Sequence, residues 1–276
     1  MPETQTVDAL IRERAGSDPA KPMVIDPDTR ISYDELDAGT HALAAGFIQA
    51  GIGKGTRVGL VMPNGCEWVR IALALTRIGA VLVPLSTLLT GRELASQLRT
   101  AAVTHLIAVD EFRGHRYLAE LPHDGLPALR ATWTPERAIR LPRDRVGDDL
   151  VDALAATVTP SDTLVIIFTS GSSGAPKGVI HSHGNAFGAV RAGLDARRIN
   201  ADSRLYLPMP FFWVGGFGAG ILSALLAGAT LITEAVPEPT QTLRLLERER
   251  VTLFRGWPDQ AEALARHARD AAADLS

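Results

Sequence analysis

Hydrophobic and polar positions alternate along this chain in a strand-then-helix rhythm. Ser32 and Glu35 have the spacing of a capping box, and Leu36, Leu43 and Phe47 follow at helical spacing before Gly51 stops the run. This predicts the first clear helix. Arg57 to Met62 reads as a buried strand, and Pro63-Asn64 turns the chain into a second helix with Trp68, Ile71, Ala72, Leu75 and Ile78 on one stripe. Ala80 to Leu85 then returns as a strand, completing a β-α-β unit. Thr90 and Glu93 repeat the capping-box spacing before Leu94 and Leu98, and Thr104 to Val109 supplies a further strand. Such alternation implies a mainly parallel sheet with helices on both faces.

The stretch from about 112 to 162 has weak periodicity and many Pro, Arg and Asp residues, and reads as a linker or surface excursion. After it, Leu164 to Phe168 is an unbroken apolar run. A polar loop follows, then Val179-Ile180 and a helix from near Asn185. Further units are expected at Leu205 to Leu207, Ile221 to Leu226, Thr230 to Thr233, a charged helix from about Thr240 to Arg250, and Val251 to Phe254. The organisation expected is an α/β subdomain over 1–162, including the excursion, and a second over 163–276 that carries the loop. No repeat or low-complexity tract is present.

Composition narrows the function classes. The 276 residues are 46% hydrophobic and 21% charged, as in an ordinary globular α/β chain. The 31 acidic and 28 basic residues are mixed along the sequence, which leaves no basic face for nucleic acid. Cys66 is the sole cysteine, so an internal disulfide and a cysteine zinc cluster are excluded, and packing is its expected role. The start shows no secretory pattern, and a cytoplasmic location is the default expectation. Leu205 to Thr233 is uncharged and long enough to span a bilayer. Its prolines and glycines cut it into short elements instead, so no membrane span is expected.

The chemistry concentrates in Thr169-Ser170-Gly171-Ser172-Ser173-Gly174-Ala175-Pro176-Lys177-Gly178, directly after a buried strand. Glycines let backbone N–H groups approach a ligand, hydroxyls donate to anionic oxygens without adding charge, and a lysine offsets phosphate charge. A mobile Ser/Gly surface turn is the plain alternative. Pro176 before Lys177 and Gly178 after it do not meet the P-loop pattern of ordinary NTPases. A dinucleotide fingerprint and a hydrolase nucleophile elbow are likewise missing. His181 and His183, two apart, suggest a metal pair, but no third ligand lies nearby and no metal site is expected.

This loop resembles the signature of the adenylate-forming, AMP-binding superfamily, Thr-Ser-Gly-(Ser/Thr)-(Ser/Thr)-Gly-x-Pro-Lys-Gly, at every position. Ile31 to Leu36, Val61-Met62-Pro63-Asn64 with Trp68, Gly79-Ala80 through Pro84-Leu85, and His183 with Asn185 are also similar to family elements. The type it resembles is the acyl-CoA synthetase or acid-CoA ligase. The resemblance implies the layered sandwich of that superfamily's N-terminal domain, ATP, Mg²⁺ and coenzyme A, and a small carboxylic acid as substrate. Thr169, Ser170, Gly171, Ser172, Ser173, Gly174 and Lys177 would hold ATP phosphates. Many members carry Pro-Leu-Phe-His where this chain has Pro210-Phe211-Phe212-Trp213, so Trp213 replaces a histidine. Phe212, Trp213, Gly215 and Gly216 are then candidates for the acid pocket, unless they are plain core.

Relatives of this kind are about twice as long. Their ribose-binding and hinge elements and their C-terminal lid domain come later than residue 276, which implies a truncated form with an incomplete C-terminal edge and no complete set of catalytic residues. Self-association, or pairing with a missing C-terminal half, would follow from that edge. Two alternatives stand beside the ligase: a silent nucleotide-binding fragment, and an interaction module that keeps only the fold.

Overall fold

The computed structural model describes residues 5–122, 125–169 and 176–271. Along the chain the elements are α1 (Val7–Ser17), β1 (Pro22–Ile25), β2 (Arg30–Ser32), α2 (Tyr33–Gln49), β3 (Arg57–Val61), α3 (Cys66–Arg77), β4 (Val81–Pro84), α4 (Gly91–Thr100), β5 (His105–Ala108), β6 (Ala131–Trp133), α5 (Pro135–Ala138) and α6 (Asp148–Ala156). They continue with β7 (Thr163–Thr169), β8 (Lys177–Ser182), α7 (His183–Arg191), β9 (Arg204–Tyr206), α8 (Val214–Gly216), a π-helical turn (Phe217–Leu222), α9 (Ser223–Ala227), β10 (Thr230–Ile232), α10 (Pro239–Arg248), β11 (Leu253–Phe254) and α11 (Pro258–Ala271).

Both expected capping boxes form. The Ser32 N–H donates to Glu35 Oε2 at 2.8 Å and the Glu35 N–H donates to Ser32 Oγ at 3.1 Å, satisfying two donors that a helix start leaves open. Thr90 and Glu93 do the same for α4. Gly51, at φ +87°, takes the left-handed conformation that ends α2. Three elements precede the first helix that the periodicity marks: α1, β1 and β2. The excursion from 112 to 162 is also more ordered than its composition suggests. It supplies β6, which pairs in parallel with β5, and α6, whose Val151 and Ala155 are buried. A three-residue strand is too short to show a period, and β6 is held by tertiary contact: Trp133 is buried with its ring stacked on His105, centroids 5.4 Å apart.

The chain divides into two compact units, one of 1–13, 37–62 and 70–188, the other of 14–36, 63–69 and 189–276. The first unit holds a six-stranded sheet in the order β6-β5-β3-β4-β7-β8, parallel except for the antiparallel pair β7–β8. Thr163 to Gly188 belongs to this unit because β7 pairs with β4. Leu94, Ala95 and Leu98 of α4 pack with Val83, Leu106 and Ile166 in its core. Arg77 is wholly buried there. Its guanidinium reaches Asp8 at 2.6 Å, Asp37 at 3.0 Å and Thr40 Oγ1 at 2.6 Å, so the buried charge is paired and hydrogen-bonded.

The second unit holds a five-stranded sheet in the order β11-β9-β10-β1-β2, parallel except for the β1–β2 pair. Tyr33 is buried and donates to the carbonyls of Ala224 and Ala229, tying the start of α2 to α9. Glu249, 2% exposed, accepts from Arg30, Arg204 and Arg248 at 2.9–3.0 Å. No helix among the described residues is long and apolar enough to cross a membrane.

Candidate functional site

In the first unit, β7 carries the chain from the core to its surface. Leu164 to Ile167 are buried, Phe168 is partly buried and Thr169 is exposed, at the carboxyl end of strands parallel to β4, where α/β folds form ligand sites. The chain returns as β8, and the antiparallel register sets Thr169 opposite Lys177 and Phe168 opposite Gly178. The two residues that open and close the loop are thus neighbours on adjacent strands, both exposed. Ser170, Gly171, Ser172, Ser173 and Gly174 lie outside the described residues. Gly178 has a steric reason to be glycine, since a Cβ there would meet Ile166 Cγ2 at 2.9 Å.

His183 opens α7 behind this hairpin and is fully buried. Its Nδ1 accepts the Val7 N–H at 3.3 Å, which makes the ring neutral with its proton on Nε2, and burial pushes its pKa down to about 4. The ring's one hydrogen bond among the described residues ties the start of α7 to the backbone of α1. His181 is partly exposed, with Nδ1 3.2 Å from Asn185 Oδ1. Among the described residues no group of three or more His, Cys, Asp or Glu is placed to hold a metal ion.

In the second unit, the segment after β9 forms a fixed turn. Asn64 reaches it with its whole amide: Nδ2 donates to Met209 O at 2.9 Å and Thr233 Oγ1 at 3.2 Å, and Oδ1 accepts the Phe211 N–H at 2.9 Å. Phe211 is buried against Trp68, ring centroids 5.3 Å apart and near edge-on, and Trp68 also meets Phe217. The Trp213 N–H closes the turn onto Pro210 O at 3.1 Å. Gly216 lies so close that a Cβ would sit 2.0 Å from Pro210 O, and one on Gly215 would meet Met209 Sδ at 3.0 Å. Phe212 is buried. Trp213 is 43% exposed and stands edge-on to both Phe212 and Trp257. Of the four residues named as acid-pocket candidates, Trp213 is the one that presents a large side chain to solvent.

Sequence spacing could not reveal Trp257, which lies between β11 and α11, as a neighbour of Trp213, 44 residues earlier, with ring centroids 6.1 Å apart. The hydrogen-bonding role of Asn64 was equally hidden. Cys66 is buried, its thiol directed at the carbonyls of Thr29 and Val24, and burial holds its pKa well above the usual thiol range. It is packing and not a nucleophile.

A strand end and a returning strand that bracket the Ser/Gly/Lys signature, in a mostly parallel sheet, point to the AMP-binding enzymes. The sequence profile of that family, described as AMP-binding enzyme, matches residues 11–276, and the chain belongs to it. A 7a-methyl-1,5-dioxo-octahydro-1H-inden-4-yl propanoyl:CoA ligase of Mycobacterium tuberculosis is 33% identical, over 99% of this chain and 55% of its own length. A feruloyl-CoA synthase of an Amycolatopsis species is 32% identical, over 95% of this chain and 51% of its own length. Among solved structures, the inhibitor-bound N-terminal domain of FACL13 from Mycobacterium tuberculosis superposes with a TM-score of 0.85 at 24% identity, covering 98% of this chain and 67% of that one. That likeness is one of fold. The chain spans about half the length of the curated relatives it matches.

Proposed function

We propose that this chain serves the ATP-dependent activation of a small carboxylic acid and the transfer of its acyl group to coenzyme A. The observation that carries the reading is the hairpin that sets Thr169 opposite Lys177 at an exposed strand end, closing a loop of the family's signature sequence. In the first step a carboxylate oxygen attacks the α-phosphorus of ATP and pyrophosphate leaves. In the second, a thiolate attacks the acyl carbon and AMP leaves. Neither step needs covalent help from the loop. Its contribution is placement and charge neutralisation: Thr169, Ser170, Ser172 and Ser173 donate hydroxyl hydrogens to the β- and γ-phosphates, Gly171 and Gly174 admit their oxygens to the backbone, and the Lys177 ammonium offsets their charge beside Mg²⁺.

The acid is assigned to the turn of the second unit, with Phe212, Trp213, Gly215 and Gly216 shaping its pocket. The relatives' ring-bearing acids and the exposed indole of Trp213 support an acid that carries a ring. Exposed Trp213, Val214 and Trp257 support association of the chain through this face, with its own copy or with the segment that longer relatives carry. A cytoplasmic site of action completes the reading.

Calorimetric titration of the 276-residue chain with Mg·ATP, beside acid-dependent exchange of labelled pyrophosphate into ATP across aromatic and fatty acids, tests this. Saturable binding with exchange establishes adenylation by the chain itself. Binding without exchange leaves a nucleotide-binding role, and absence of both, in a folded protein, overturns the proposal.

A further inference from the structure

In the first unit an open pocket of about 310 Å³ lies at the amino ends of β3, β4 and β7, the opposite end of β7 from Thr169. Its floor is set by sheet register. Arg57 pairs with Val81, Leu82 with Val165, and Ile166 with Ile180, so strand alternation puts the side chains of Arg57, Val81, Ile166 and Ile180 on one face. All four line the pocket. Val81 and Ile166 are buried, whereas Ile180, on the edge strand β8, is 62% exposed.

Three charged side chains line it, those of Lys54, Arg57 and Asp162. The Lys54 ammonium donates to Thr157 O at 2.6 Å and meets Asp162 Oδ2 at 2.8 Å, its stem lying across Gly79, where a Cβ would come 3.0 Å from Lys54 Cγ. Lys54 and Asp162 therefore offset one another. Arg57 has no such partner among the described residues, and its one side-chain hydrogen bond runs from Nη1 to Ala101 O at 2.9 Å. That leaves Nε and Nη2, which share one edge of the planar guanidinium. The buried side-chain nitrogens that lack a partner among the described residues belong to Trp68, His183 and Arg255, so the free edge of Arg57 is within reach of solvent. The pocket carries one uncompensated positive charge above an apolar floor.

We propose that this pocket binds a small organic monocarboxylate, its two oxygens forked by Arg57 Nε and Nη2 and its apolar body lying on Val81, Ile166 and Ile180. The geometry fits, because two parallel N–H donors on one guanidinium edge match the two oxygens of a carboxylate. Charge selects a monoanion. A second negative charge on the ligand would face Asp162 without a further free cation to meet it. Size agrees as well, since an engineered cavity of roughly 150 Å³ takes up benzene and 310 Å³ admits a body of about six to eight carbons. The site lies wholly within one unit, apart from both the signature loop and the turn at Trp213, and its occupation requires no turnover, so its test is independent of the acid-activating reading.

Hexanoate and 1-hexanol share an apolar chain and differ in the charged group. Amide NMR titrations of the 276-residue chain read the two candidate acid sites separately, this one at Gly55, Gly79, Thr163 and Ile180 and the turn of the second unit at Trp213, Gly215 and Gly216. Hexanoate is expected to shift the first set saturably in the millimolar range, with 1-hexanol about ten- to a hundredfold weaker, as a charge-assisted fork provides. In Arg57→Gln that preference should vanish. In Ile180→Glu, which sets a carboxylate on the floor, hexanoate should no longer shift the first set. Thermal melts verify that each variant is folded, and because Ile180 is 62% exposed its replacement removes little packing, so Ile180→Glu decides the matter even if Arg57→Gln misfolds. Hexanoate shifts confined to the second set, equal affinities for hexanoate and 1-hexanol at the first, or unchanged hexanoate binding there in either folded variant overturns the site.

Discussion

Asn64 Oδ1 accepts the Phe211 N–H at 2.9 Å while the same amide donates to Met209 O, so one side chain from the start of α3 holds the turn that presents Trp213. Removing it in Asn64→Ala leaves the Met209 carbonyl and the Phe211 N–H short of partners. A loss of about 1–3 kcal/mol in unfolding free energy is expected. Amide exchange at Phe211 should quicken with it. Unchanged protection of that amide would show that the turn is held by its apolar contacts alone.

Gly216 and Gly218 are two apart yet meet different surroundings. A Cβ at 216 would lie 2.0 Å from Pro210 O, whereas one at 218 has nothing nearer than Val214 Cγ1 at 3.9 Å. Gly216→Ala should therefore cost about 1–3 kcal/mol or more through overpacking, and Gly218→Ala should change stability by less than about 1 kcal/mol. Urea unfolding of the two variants side by side decides it, and equal effects would mean that the Pro210 carbonyl yields freely.

His183 makes stability depend on pH. Its folded pKa, about 4, lies below the unfolded value of 6.5, so the folded state resists protonation. The stabilisation is fully present above pH 6.5 and is lost as pH falls from there towards 4, amounting to about 3 kcal/mol over that window. His183→Asn keeps an acceptor for the Val7 N–H and cannot titrate. Between pH 7 and pH 4 the unmodified chain should lose about 3 kcal/mol more than this variant, by urea unfolding at each pH. Parallel curves would place the acid sensitivity elsewhere.

Lys177 stands exposed as the first residue of β8, where its removal exposes no core. A charge-assisted hydrogen bond to phosphate is worth ~1.5–3 kcal/mol, about ten- to a hundredfold in affinity. Lys177→Ala is expected to weaken Mg·ATP binding by that factor and to leave the melting temperature nearly unchanged. Equal ATP affinity in the folded variant would remove the loop from the phosphate site.

What was legible in the sequence is what neighbours along the chain decide. Ser32 with Glu35 and Thr90 with Glu93 start helices through bonds three residues apart, Gly51 ends one, and the apolar runs of β3, β4 and β7 are buried on both faces. The family was legible for the same reason, because its signature is written in ten consecutive residues. Tertiary structure decided the rest. β6 exists as a strand because β5 offers it a ladder and His105 a face for Trp133. Trp213 meets Trp257, Asn64 meets Phe211, and Tyr206 meets Glu234 across 28 to 147 residues of chain, through strand order and register. Such contacts carry no local period. They arise when separate strands are brought side by side, and no spacing along one strand encodes which partner that will be.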